Sequence, residues 1–186
     1  EAMNQFVTVS EESTTALLAD PDSAIMLIAD MANNDGHAAH ALSVMTLALL
    51  LGKKAELPEV SLRALAVGAL LHDIGKLSIN PAILRSSERN RHEATIYRTH
   101  CRSGYDEALR AGTVSQAMLE AILSHHERFD GSGFPDHLSG REIPLAARIV
   151  AIANRFDNLV NPVDYRHALS PSEALATMWA REKTRF

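Results

Sequence analysis

The chain has 186 residues, 46% hydrophobic and 22% charged, enough for one domain with a sizeable core. Its formal charge of −5 includes no basic stripe interleaved with aromatics, which argues against a dedicated binder of nucleic-acid polymers, and no run of 18 apolar residues exists to cross a bilayer. Cys101 is the only cysteine, so an intrachain disulfide is excluded and a reducing cytoplasm is the expected compartment, with no membrane contact.

In chain order, Leu17, Leu18 and Ile25 to Met31 recur at helical spacing, so residues 1–35 read as a helical lead-in. The same period continues in Leu42, Val44, Leu47 and Leu49 to Leu51, then in Leu62, Leu65, Val67, Leu70 and Leu71. Strand-like alternation is nearly absent. Helix starts are signalled at Pro21-Asp22-Ser23, Leu57-Pro58-Glu59, Asn80-Pro81, Ile143-Pro144 and Ser170-Pro171-Ser172-Glu173, each placing Pro or a capping residue before an apolar-periodic segment. The expectation is an all-α bundle of roughly seven to nine helices, with the main domain over residues 36–186. Between Phe129 and Pro144, three glycines, two prolines and two aspartates predict a loop with little regular structure. The Glu1-Ala2-Met3 start and the abrupt end at Phe186 read as those of a piece cut from a longer chain, with flanking domains and a truncated C-terminus expected.

Five places set imidazole, carboxylate or amide among apolar helical residues: His40, His72-Asp73, His100, His125-His126, and Asn154 with Asp157. Alone, His40 or His100 reads as an ordinary hydrogen-bonded core residue, and His125-His126 as a helix C-terminal turn. As a set they differ. His with Asp is a ligand set for divalent first-row metals, and a metal would satisfy several buried polar groups at once.

The blocks LLHDIGKL and HHERFDGSGFPDHLSGREIPLAARIVAIANRFDNL resemble the HD-GYP family, a bacterial branch of the HD-domain metal-dependent phosphohydrolases. The resemblance runs from about residue 36 to about residue 175. It includes a separate H-x-x-x-G block at His100 and Gly104 and the trailing G-x-x-I-P and A-R-I motifs. It implies that His40, His72 and Asp73 hold one metal ion. Asp73 would bridge to a second ion held by His100, His125 and His126, with Asn154 at the position of a further ligand to the first. Two divalent transition-metal ions are implied, iron or manganese foremost, with nickel or zinc admitted by the mixed donor set. The implied reaction is hydrolysis of cyclic di-GMP to linear pGpG, and on to GMP, by water held between the ions, with Asp73 and Lys76 as catalytic residues and Lys76 reaching a phosphate oxygen.

Four departures from the family pattern bear on that expectation. Asn154 stands where the family has Asp, offering a neutral oxygen instead of an anionic one, which weakens a cation site. Gly36 stands where some members carry a Glu for a third metal, so two ions is the upper expectation. The R-P-Y-[RK] segment, whose basic residues contact ligand phosphates, aligns with Val163 to Arg166, leaving Tyr165 and Arg166 as substrate-binding candidates. Phe134 replaces the Tyr of G-Y-P and loses its hydroxyl. In the loop, Asp130, Gly131, Gly133, Phe134 and Pro135 form either a ligand lip or a docking surface for a diguanylate-cyclase-type or other signalling protein. The competing expectation is a catalytically weakened module that binds a cyclic dinucleotide or a partner without cleaving it.

Overall fold

The computed structural model describes residues 36–86, 88–112, 114–162 and 165–186, so the expected lead-in over 1–35 and the residues Val163 and Asp164 lie outside the described residues. Seven α-helices follow one another: α1 (Gly36–Lys54), α2 (Glu59–Leu71), α3 (Pro81–Arg85), α4 (Arg91–Ala111), α5 (Gln116–Ser124), α6 (Leu145–Val160) and α7 (Pro171–Glu182). Three short 3-10 turns join them, at Ile74–Ser78, Gly140–Glu142 and Tyr165–His167, and no strand occurs among the described residues. The all-α expectation holds.

Local chemistry sets the helix starts. Pro58 and Pro144 precede α2 and α6, the Asn80 side chain accepts from the Ala82 amide at the start of α3, and Ser170 with Glu173 forms a capping box on α7. Asn90 with Glu93 makes the same box on α4, and Ser115 caps α5, two starts that the proline-led signals do not mark.

The core lies where α1, α2 and α6 meet. Val44, Met45, Ala48 and Leu49 pack with Leu62, Leu65, Ala66 and Ala69 and with Ile149, Val150 and Ala153. A second cluster joins α2 to α4 and α5 through Val67, Leu71, Ala108, Met118, Leu119 and Ile122. Helix α2 is thus buried on nearly all sides, which explains its unbroken apolar run. At this density, truncating Leu65 to Ala would cost about 2–5 kcal/mol.

One close approach fixes the end of α2. A Cβ on Gly75 would stand 2.1 Å from the His100 carbonyl oxygen and 2.6 Å from the Gly104 amide nitrogen, so the 3-10 turn touches the α4 backbone only because residue 75 has no side chain. Across the bundle, the Arg155 guanidinium donates to both carboxylate oxygens of Glu182, at 2.8 and 2.6 Å, tying α6 to α7. That pairing holds the Glu182 carboxyl below its usual range despite its burial.

The loop from Phe129 to Pro144 is ordered by Glu127, whose buried carboxylate accepts from the backbone amides of Asp136 and Leu138 at 2.6 and 3.1 Å. A 3-10 turn at Gly140–Glu142, capped by Ser139, lies inside this loop, where little regular structure was expected. Two of its three glycines divide the work. Gly131 takes φ +75, whereas a Cβ at Gly133 would meet the Arg128 nitrogen and the Glu127 Cα at 2.4 Å each. The Phe134-Pro135 peptide is cis.

Candidate metal centre

His72 and Asp73 sit where α2 tightens into the 3-10 turn Ile74–Ser78, His72 at the helix C-terminus and Asp73 at the N-terminal cap of the turn. Here the apolar run ends, and the two side chains face four further histidines from α1, α4 and the end of α5.

Asp73 is the hub. Its Oδ2 lies 3.4 Å from His72 Nε2 and 3.8 Å from His40 Nε2, and its Oδ1 lies 3.5 Å from His100 Nε2 and 3.6 Å from His125 Nε2. Lys76 Nζ donates to Oδ2. Each oxygen therefore serves a different pair of histidines.

The tautomers follow from the backbone. Nδ1–H of His72 donates to the Ala69 carbonyl at 2.6 Å, that of His100 to Tyr97 at 2.6 Å, and that of His125 to Ile122 at 2.8 Å. A carbonyl only accepts, so each Nδ1 carries the proton and each Nε2 presents a lone pair. His40 follows the same logic with a side chain, its Nδ1–H donating to Asp157 Oδ2 at 2.6 Å across 117 positions of sequence. An imidazole whose second nitrogen is held by a carbonyl or carboxylate is the arrangement that orients metal-ligating histidines.

Lone pairs and a carboxylate aimed into one small buried space repel one another unless a cation lies between them. At His100, His125 and His126, protons do not serve. Burial, then the neighbouring His125, pushes the His100 pKa down to about 3, while burial lowers that of His125 and, with His125 and His100, holds His126 well below the usual imidazole range. Burial also works against ionisation of Asp73, yet the neighbouring His72 and the Lys76 ammonium keep its carboxyl well below the usual range. Meanwhile His72 Nε2, Asp73 Oδ1 and His126 Nε2 are buried without a hydrogen-bond partner. These orphaned acceptors fit divalent cations.

Two donor groups emerge among the described residues, His40 with His72 and Asp73, and His100 with Cys101, His125 and His126. The second includes a sulfur that sequence reasoning treated only as an unpaired thiol. Its pKa is pushed up by burial and by the Asp73 charge. The Phe134 ring stacks on His126 at 4.6 Å between centroids, and the Phe134 amide donates to the His126 carbonyl, so the glycine-rich loop touches the centre directly. Phe134 and Pro135 also line a groove of about 460 Å³ with Thr95, Arg98, Thr99 and Arg102.

The remaining expected residues lie elsewhere or bond differently. Asn154 is buried on α6 one turn before Asp157, and its amide oxygen accepts from Asn158. Asp130 is exposed and bonds only locally, to Ser132. Tyr165 and Arg166 lie exposed on the 3-10 turn after α6. Asp157 supports His40, a contact that helical spacing along the sequence has no means to indicate.

Known proteins resemble this chain in sequence and in fold. A family model described as HD domain matches residues 22–186. The cyclic di-GMP phosphodiesterase response regulator RpfG of Xanthomonas campestris is 37% identical over 141 residues, covering 74% of this chain and 37% of that protein. The 3'3'-cGAMP-specific phosphodiesterase 1 of Vibrio cholerae is 35% identical over 141 residues, 75% of this chain and 32% of its own length. The chain thus spans roughly a third of these relatives. Among solved structures, an HD-GYP-type protein from Bdellovibrio bacteriovorus superposes with a TM-score of 0.81 at 19% identity, over 98% of this chain and 58% of that one, and shows the same fold. With the HD-domain model covering most of the sequence and relatives 35–37% identical over about three quarters of it, the chain belongs to the HD-domain family, in its HD-GYP branch.

Proposed function

We propose that this domain is a metal-dependent phosphodiesterase that hydrolyses cyclic di-GMP to linear pGpG and on to GMP. The observation that carries this reading is the division of Asp73, one oxygen toward His40 and His72 and the other toward His100 and His125. A carboxylate so divided serves two cations at once. His40, His72 and Asp73 would hold the first, and Asp73, His100, His125 and His126 the second. Bound there, iron or manganese ions supply an activated water and offset charge at phosphorus.

The chain's own groups supply the rest. Lys76, 21% exposed and already on Asp73, presents an ammonium to a phosphate entering the centre. Arg98 and Arg102 line the adjoining groove, where guanidinium groups suit phosphate oxygens, and the Phe134 ring gives an apolar wall for a base. Arg166 and Tyr165 would meet the second phosphate from the 3-10 turn after α6. Relatives named for cyclic di-GMP and for 3'3'-cGAMP support the substrate class, a cyclic dinucleotide.

The test is turnover of cyclic di-GMP by protein loaded with Fe²⁺ or Mn²⁺, with 3'3'-cGAMP and linear pGpG in parallel. Conversion at least about 100-fold above a chelated control supports the enzyme. Absence of conversion with both ions present overturns it.

Asn154 favours a second reading, a module that binds the dinucleotide or a signalling partner through the loop without efficient cleavage, because its neutral oxygen is engaged by Asn158. Tight binding of cyclic di-GMP without hydrolysis, persisting in Asn154→Asp, would select that reading.

A further inference from the structure

We infer that Cys101 is a sulfur ligand of the second metal ion, so that this half of the centre takes a thiolate beside its imidazoles. The inference rests on the two-ion reading above and adds a donor to it.

Cys101 follows His100 on α4 and is fully buried. Successive helical positions lie about 100° apart and do not share a face, so the two side chains reach one point only because both flank the same buried seam. They do reach it. Sγ lies 3.6 Å from His100 Nε2, and donor atoms from His100, Cys101, His125 and His126 all lie within 4.8 Å of one another. Ligands of one Zn²⁺ at about 2.0–2.3 Å sit roughly 3–4 Å apart, and the Cys101–His100 and His100–His125 pairs, at 3.6 and 3.3 Å, already stand at that spacing.

Independent of the sulfur, the same space contains acceptors with nothing to accept from. His126 Nε2 and Asp73 Oδ1 are buried and unpartnered, and His100 Nε2 faces His125 Nε2 at 3.3 Å although both are held as lone-pair tautomers. A thiol donating to His100 would relieve one of these atoms. A cation relieves all of them and takes the sulfur as thiolate, releasing the thiol proton to solvent.

The consequence is selectivity. The first group, two imidazoles and a carboxylate, suits several divalent ions, whereas a thiolate favours Zn²⁺ or Fe²⁺ over the harder Mn²⁺. The centre would then be asymmetric, its second position softer than its first.

The experiment loads the full chain with Co²⁺ and records its absorption alongside elemental analysis. A near-ultraviolet sulfur-to-cobalt charge-transfer band in the wild type, absent from Cys101→Ala, supports the inference. Cobalt bound in the centre without that band overturns it and leaves the two-ion reading intact, with Cys101 a mere hydrogen-bond donor. No cobalt bound at all overturns both. Because the wild-type spectrum decides alone, a misfolded variant leaves no ambiguity. In Cys101→Ser, Zn²⁺ affinity should fall at least about tenfold while Mn²⁺ affinity changes less.

Discussion

A single carboxylate gives the sharpest expectation at the scale of the residue. If Asp73 faces two cations, Asp73→Ala should lower metal content from about two ions per chain to none, whereas His126→Ala should cost only the second ion. Elemental analysis of the two variants separates these outcomes, and equal losses would contradict the division of labour. If Asn154 stands at the position of a further ligand to the first ion, Asn154→Asp adds an anion there and should tighten that ion by about 10-fold or more, read as a shift in a chelator competition curve. The site was legible in the sequence as far as residue types were concerned, since His40, His72, Asp73, His100, His125 and His126 all gather. The His40–Asp157 bond was not, because it joins positions 117 apart whose meeting depends on how α1 packs on α6. Cys101 was hidden for another reason. Helical spacing assigns neighbours in sequence to different faces, and only a seam buried on both sides makes the exception.

At the scale of the element, the junction of the 3-10 turn with α4 is a test of sterics against backbone conformation. Gly75→Ala drives a Cβ into the His100 carbonyl and should destabilise the fold by about 2–4 kcal/mol while displacing the second donor group. Gly112→Ala, at the C-cap of α4, meets nothing within 4 Å but must hold φ +82, and should cost only about 1 kcal/mol. Urea midpoints of the two variants measure the contrast, and metal content should fall in the first alone. Helix starts were legible because capping is local: Asn80, Ser170 and the prolines at 58 and 144 act within three or four residues of themselves. The loop was legible only in outline. Its glycines announce a turn, but its order comes from Glu127, whose carboxylate reads in sequence as an ordinary surface charge.

For the whole molecule, the buried histidines make stability depend on pH. In the unfolded chain His100 takes up a proton near its ordinary value of 6.5, whereas in the folded chain it does so only at about 3. Between those values the unfolded state binds the extra proton, so stability is full above about pH 6.5 and falls as pH drops toward 3. The lowered pKa values of His125 and His126 have the same sign, and Asp73, held below its ordinary 3.8, adds a further loss below that pH. Metal-free protein should therefore lose up to about 1.4 kcal/mol per pH unit for each such histidine on acidification from pH 6.5, seen as falling urea midpoints. A flat profile from pH 7 to 5 would contradict the burial of neutral imidazoles. Chelation of the loaded protein at pH 7.5 should lower its melting temperature, since a ligand at 100 times its Kd adds about 2.7 kcal/mol.

The way the imidazoles are oriented also sets how the centre can be lost by mutation. His72, His100 and His125 take their orientation from main-chain carbonyls three residues back, which every amino acid except proline placed to break the helix would still provide. His40 takes its orientation from one side chain, Asp157, which a single codon change can remove. The half of the centre that includes His40 is thus the larger target for chance decay, and Asn154 lies one helical turn from Asp157 on α6.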